Sequence, residues 1–300
     1  MSVKELIKET VPKPIFYGLK RQVTLLQARE ASNAFQHAGH RPEYLDDDLL
    51  EDLNARFAVP PTVGYGAEET AERGRKKAQL LRKLVGPTAR PLTTLELACW
   101  DGMVPAALAK GGWKGFGVDI RDAGFDARAT RDGAVLQAMD ASKLEFPDDM
   151  FDLVYSFDSF EHFRDPDATV AEAIRVSRNG GLVYVDFGPL YNAPYGLHAY
   201  LSVPVPYCQF LFRPEQLNAF TDRHRLAPID FEQCNGWSIA QFRALWARHR
   251  DRLVPRWYFE NYTSNGLELV ATYPTCFRSK VDRFEELLVT SVHALFQVRK

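Results

Sequence analysis

Between residues 92 and 187, five short apolar runs alternate with segments of helical spacing, and no other feature of the chain limits its fold as strongly. The runs cover 92–98, 115–120, 134–138, 151–156 and 182–187. Short strands separated by helices pair in parallel through crossover connections, so the alternation predicts βαβ units and a largely parallel sheet. The punctuation agrees. MVPAALAK reads as a short helix closed by Gly111 and Gly112, while Asp165 caps a helix that has Pro166 in its first turn and ends on Gly180. Two later stretches, GLELVATYPTCF and the end of FEELLVTSVHALFQVRK, are the strand candidates that complete the sheet.

The flanks have a different texture. Residues 1–85 read as helices broken at Pro12, Pro14, Pro42, Pro60 and Pro61, the longest running from Glu68 to Val85 with its charges on a solvated face. Residues 204–262 are rich in proline and aromatics and then helical. The expected organisation is therefore an N-terminal helical cap over 1–85 and a sheet domain over 86–300, with 204–262 inserted as a helical and aromatic cap. Eight of the 37 aromatic residues fall between Tyr184 and Phe212, directly after the fifth strand. A cluster there suits a substrate pocket as well as core packing.

Composition removes several classes of function. A chain of 300 residues with 46% apolar side chains buries a full core, which excludes disorder as the main theme. With 37 basic and 39 acidic side chains the formal charge is −2, which argues against a nucleic-acid partner. Cys99, Cys208, Cys234 and Cys276 are 109, 26 and 42 residues apart, so they lack metal-type spacing and read as reduced core thiols. No leader-like apolar region opens the sequence and no apolar stretch approaches membrane-spanning length. A cytoplasmic protein without metal or membrane partner is the expectation.

In open parallel sheets ligands sit beyond the carboxyl ends of the strands, near the point where strand order reverses. The first run carries Glu96 and leads to Gly102 at the start of a helix; the second ends in GVDI, with Asp119 at its tip. That carboxylate is placed to accept hydrogen bonds from both ribose hydroxyls of a nucleoside. The third ends in AMDAS, where Asp140 and the Ala141 amide can read an adenine edge. A nicotinamide enzyme requires glycines that admit a pyrophosphate to the helix start. Here Ala98-Cys-Trp100-Asp101-Gly102 keeps one glycine of the three, and Asp101 repels phosphate. An NAD-dependent oxidoreductase is disfavoured on that ground, and a phosphate-free nucleoside such as S-adenosylmethionine fits better.

The ordered set LELACxxG, GVDI, MDAS with LEFPDDMFDLVYSFDSFEHF, and RVSRNGGLVYVDF, over about residues 92–190, resembles the class I S-adenosylmethionine-dependent methyltransferases. The resemblance implies an α/β, Rossmann-like, seven-stranded, mostly parallel sheet with helices on both faces and the last strand antiparallel, plus helical cap elements. It implies S-adenosyl-L-methionine as cofactor. Glu96, Ala98 and Gly102 would surround the methionyl part, with the Trp100 indole covering the cofactor. Asp119 would hold the ribose beside Ile120, Asp140 and Ala141 the adenine, and Ser156 and Phe157 would lie beside the sulfonium. Ala98 and Trp100 depart from the usual glycines.

The implied reaction is methyl transfer to a small-molecule acceptor, with a hydroxyl of a sugar, polyketide or other specialised metabolite favoured. His162 is the candidate base or substrate orienter, against a structural histidine; Asp186 orients a hydroxyl or fixes a loop; His198 covers the acceptor or bonds its own loop. No nucleic acid or membrane enters this reading, and a homodimer is the candidate assembly. The competing reading is a non-catalytic S-adenosylmethionine-binding regulator or scaffold.

Overall fold

The computed structural model describes residues 13–62 and 64–300; the helix break expected at Pro12 lies outside the described residues. Helices α1 (Lys13–Gln27), α2 (Arg29–His37), α3 (Asp47–Arg56) and α4 (Ala67–Val85) precede the sheet. The alternating region then gives β1 (Thr93–Leu97), α5 (Met103–Lys110), β2 (Lys114–Asp119), α6 (Ala127–Arg131), β3 (Val135–Ala138), β4 (Phe151–Phe157), α7 (Pro166–Val176) and β5 (Ser177–Phe187). After it come α8 (Cys208–Leu211), α9 (Pro214–Arg223), α10 (Ile239–Arg248), β6 (Leu253–Tyr262), α11 (Leu267–Thr272), α12 (Thr275–Arg278), a 3₁₀ turn (Phe284–Leu287) and β7 (Val289–Val298).

The seven strands form one mixed, Rossmann-like sheet in the order β3-β2-β1-β4-β5-β7-β6. β1 lies parallel to β2 on one side and β4 on the other, with Leu95 opposite both Phe116 and Val154. Strand order therefore reverses at β1, and this is where such a sheet opens a crevice. β7 is antiparallel: Thr263 N donates to Leu288 O at one end of its pairing with β6, and Arg299 N to Arg252 O at the other.

The sixth strand is not where the sequence suggested. GLELVATYPTCF folds as α11 and α12, entered through Gly266 at φ 71°, and the strand is LVPRWYFENY, inside the segment expected to be all cap. β6 is an edge strand, where Pro255 costs the sheet no ladder bond it needs.

The described residues divide into two compact units, one holding 13–61, Gly188–Arg243 and Phe259–His293, the other Thr62–Phe187, Ala244–Tyr258 and Ala294–Lys300. Helix α4 belongs to the second unit and not to the N-terminal helices. Its Ala78 and Leu81 share a core with Val104 and Leu108 of α5 and with Leu153 and Tyr155 of β4. Gly74 makes the crossing possible, because a Cβ there would stand 2.6 Å from the Met103 carbonyl oxygen. In the first unit Tyr207 and Phe212 are fully buried, and the Tyr207 hydroxyl donates to Leu287 O at 2.9 Å. Part of the aromatic cluster is thus core. Among the described residues no helix is long and apolar enough to cross a membrane.

Asp152 ties the amino ends of three strands together. Its carboxylate accepts from Thr93 N at 2.9 Å, from Arg90 Nη2 at 2.5 Å and from Arg178 Nη1 at 2.5 Å. Although burial alone would raise its pKa, these partners win and hold the carboxyl down at about 2. A carboxyl lowered in the folded state stabilises the fold above its unfolded value and loses that contribution as pH falls through the folded one. Urea unfolding is therefore expected to show a loss of about 2 kcal/mol between about pH 4 and pH 2, with Asp152→Asn flattening that slope. A variant slope equal to the native one would contradict the assignment.

Candidate active site

After Leu97 the backbone makes a left-handed excursion at every second residue, with φ of 57° at Ala98, 46° at Trp100 and 72° at Gly102. Glycine takes such angles freely, whereas a side chain there costs about 1 kcal/mol or more. The chain follows the glycine-type course without two of the glycines. Three hydrogen bonds enforce it: Cys99 N to Val118 O at 2.9 Å, Trp100 N to Asp119 Oδ2 at 3.0 Å and Gly102 N to Cys99 O at 2.8 Å. Asp101 then turns back on the helix it precedes. Its Oδ1 accepts from Met103 N at 2.9 Å and its Oδ2 pairs with Arg73 at 3.4 Å. The first amide of α5, which a pyrophosphate would need, is already engaged by a carboxylate.

Glu96 is the most costly residue of this region. It is 3% exposed, and its Oε2 has no hydrogen-bond partner. Burial pushes its pKa well above the usual carboxyl range; Lys77 opposes the shift, while Asp101, Asp158 and Asp119 add to it. Lys77 Nζ donates to Asp158 Oδ2 at 2.8 Å and stands 4.6 Å from the centre of the Phe157 ring. Four carboxyls thus share one field with Lys77 and the Arg73 partner of Asp101. Such a site favours an added cation and disfavours phosphate. S-adenosylmethionine, with an ammonium, a sulfonium and no phosphate, fits this donor set.

The other expected residues take the following places. Asp119 stands at the tip of β2, with Oδ1 3.4 Å from Arg121 N, and Ile120 beyond it is 64% exposed. Asp140 is exposed after β3 and accepts from Ser142 N and Oγ at 2.8 and 2.7 Å; Ala141 beside it is buried. The Ser156 hydroxyl donates to Leu97 O at 3.1 Å, which binds β4 to β1 behind the loop. Phe157 is part of the core under α4. The ends of β4 and β5 are joined where Asp158 N donates to Asp186 O at 2.7 Å, and the Tyr184 hydroxyl donates to Asp186 Oδ2 at 3.0 Å. His162 is half-buried, its Nε2 3.9 Å from Oε1 of the buried Glu161. His198 belongs to the other unit; it has φ 58° and its Nε2 contacts Pro189 O of its own loop at 3.1 Å.

Arg73 and Lys77 were hidden in the sequence among the charges assigned to a solvated face. Their signal is positional: they flank Gly74 and Ala78, the small buried residues of α4. Beside the loop lies a pocket of about 380 Å³, lined among others by Tyr65, Thr70, Trp100, Phe125 and Arg128.

Residues 95–185 match the model of a family described as a methyltransferase domain, and this segment is a class I S-adenosylmethionine-dependent methyltransferase domain. Among characterised proteins the chain is similar to a fatty-acid O-methyltransferase of Mycolicibacterium smegmatis, 29% identical over 168 residues that make up 54% of this chain. The match spans 61% of that relative's length. Among solved structures, the PH0226 protein of Pyrococcus horikoshii OT3 aligns with 80% of this chain and 97% of its own at 18% identity and a TM-score of 0.46. A geranyl diphosphate methyltransferase, solved with GPP and sinefungin, aligns with 90% of this chain and 98% of its own at 15% identity and a TM-score of 0.47.

Two variants test the loop and the buried carboxyl. Ala98→Gly is expected to raise unfolding stability by up to about 1 kcal/mol in urea, since it relieves the left-handed angle; a loss of stability would contradict the strain. Glu96 behaves oppositely to Asp152: a carboxyl raised in the folded state destabilises the fold as pH climbs above its unfolded value. Glu96→Gln should therefore raise the thermal midpoint more at about pH 8 than at about pH 5, while weakening S-adenosylmethionine binding by about tenfold. Unchanged binding would remove Glu96 from the site.

Proposed function

We propose that the chain is an enzyme that transfers the methyl group of S-adenosylmethionine to an oxygen of a small-molecule acceptor. The observation that carries this reading is the buried Glu96 carboxyl with one unpartnered oxygen, set among acidic neighbours in a domain of the S-adenosylmethionine-dependent type. Bound there, the cofactor supplies a methyl group on a cationic sulfur, open to in-line attack. Glu96 would hold the ammonium, with the backbone of Ala98 and Gly102 against the methionyl chain. Asp119, already clamped to the Trp100 amide, would take the ribose hydroxyls. Ile120 offers an apolar surface to the adenine, whose edge Asp140 and the Ala141 amide would read. Ser156 holds the β1 and β4 ends together, and Phe157 supports the sulfonium side.

A hydroxyl acceptor must lose a proton as it is methylated. We assign that proton to His162, with the neighbouring Glu161 carboxylate attracting the imidazolium that forms. Asp186, oriented by Tyr184, would align the acceptor oxygen. The segments outside residues 95–185, chiefly the N-terminal helices and 204–252, would set acceptor specificity. The likeness to a fatty-acid O-methyltransferase favours a second form of the same reaction, in which the acceptor is a carboxylate. That oxygen is already ionised and needs no base.

A labelled-methyl assay against hydroxylated metabolites and fatty acids separates the two. With a hydroxyl acceptor His162→Ala should lower kcat by about 10²- to 10⁴-fold with cofactor affinity unchanged; with a carboxylate acceptor it should change little. Cofactor binding without transfer to any acceptor would instead make the chain a non-catalytic binder.

A further inference from the structure

The methionyl end of S-adenosylmethionine carries an ammonium and a carboxylate on one carbon, and an acidic site answers only the first. In the proposed cofactor site Glu96, buried and with Oε2 unpartnered, takes the ammonium. The carboxylate beside it then meets the field of Asp101, Asp119 and Asp158, which all act on Glu96. Without a cation of its own, that group would be repelled as a phosphate is.

Most donors near the loop are already committed. The Met103 amide donates to Asp101 Oδ1 at 2.9 Å. Arg73 pairs through Nη2 with Asp101 Oδ2 at 3.4 Å, donates from Nη1 to Gly64 O at 3.0 Å and stands over the Tyr65 ring. Arg75 and Lys76 turn to Glu72 of their own helix. Lys77 differs from all of these. It precedes the buried Ala78, its side chain is 23% exposed, and among the described residues its one hydrogen-bond partner is Asp158 Oδ2 at 2.8 Å. It also comes first among the charges that act on Glu96. Asp158 is 63% exposed, so water replaces Lys77 there at little cost. An ammonium on a flexible stem, with three donors, passes from one carboxylate to another without any movement of the helix. We propose that Lys77 exchanges Asp158 for the α-carboxylate of the cofactor, and so makes the site select a sulfonium nucleoside with an amino-acid end over one that ends in an amine. The inference rests on the methyl-transfer reading and gives a selective role to a helix outside the matched residues 95–185.

The test is titration calorimetry of the full chain with S-adenosylmethionine and with its decarboxylated form, which lacks only that carboxylate. The native chain should bind the first at least about tenfold more tightly. Lys77→Met should weaken S-adenosylmethionine by about tenfold and tighten the decarboxylated form by about threefold, because the lysine can only repel the latter. Damage to the fold would weaken both ligands together, and Lys77→Arg should restore most of the native preference. Asp158→Asn frees Lys77 and should widen the preference by about threefold; it serves if Lys77→Met melts early. Equal native affinities, a Lys77→Met effect that is the same on both ligands, or a preference narrowed by Asp158→Asn would each overturn the proposal and leave the cofactor assignment standing. A native chain that binds neither compound would overturn both.

Discussion

A carboxyl group held out of water at the end of the central strand sets the terms for everything around it. Glu96 sits in the middle of the sheet on β1, paired with Gly117 of β2 and Tyr155 of β4, and is 3% exposed. With one oxygen unpartnered and three further carboxyls contributing to its field, it makes the carboxyl end of the sheet a place where positive charge is welcome. Lys77 and Arg73 of α4 temper that field through Asp158 and Asp101, and Ala78 and Leu81 pack the same helix into the core beside the sheet. The chemistry of the ligand follows from this charge balance before any motif is invoked.

The loop after β1 shows the same pattern of local cost maintained by surrounding structure. Two non-glycine residues, Ala98 and Trp100, hold left-handed angles, which persist because Asp119 of β2 accepts the Trp100 amide and Val118 the amide of Cys99 between them. Strained angles and orphaned buried groups concentrate where a protein needs a fixed geometry for a ligand. Asp119 links the two halves of the site: the group assigned to the ribose also fixes the backbone that would meet the methionyl chain. The same arrangement rejects a dinucleotide, because Asp101 caps α5 with its own carboxylate.

The alternating half of the fold was legible because its signals are local. Capping by Asp165 and Pro166, the closure of α5 at Gly111, and the five apolar runs agree with the elements observed, except that α7 ends at Val176 and Gly180, expected as its end, lies inside β5, which begins at Ser177. The later half was misread where local signals mislead. LVPRWYFENY contains Pro255, Arg256 and Glu260, which a central strand would not tolerate and an edge strand does. GLELVATYPTCF has a strand's apolar content but is two short helices after a left-handed glycine, a distinction that periodicity over so few residues does not make. That Glu96 and Asp119 lie on the first two strands and Asp140 just after the third could be read from spacing. The inward turn of Arg73 and Lys77 could not, since which face of a charged helix turns inward depends on the partner it packs against.

The central claim is that the end of the sheet is an acidic site built for a cationic nucleoside without phosphates. Titration calorimetry of the native chain with S-adenosylmethionine, S-adenosylhomocysteine and NAD tests it most directly. Saturable binding of the first two and none of the third is expected. Tight binding of NAD with silence toward both adenosyl compounds would contradict it.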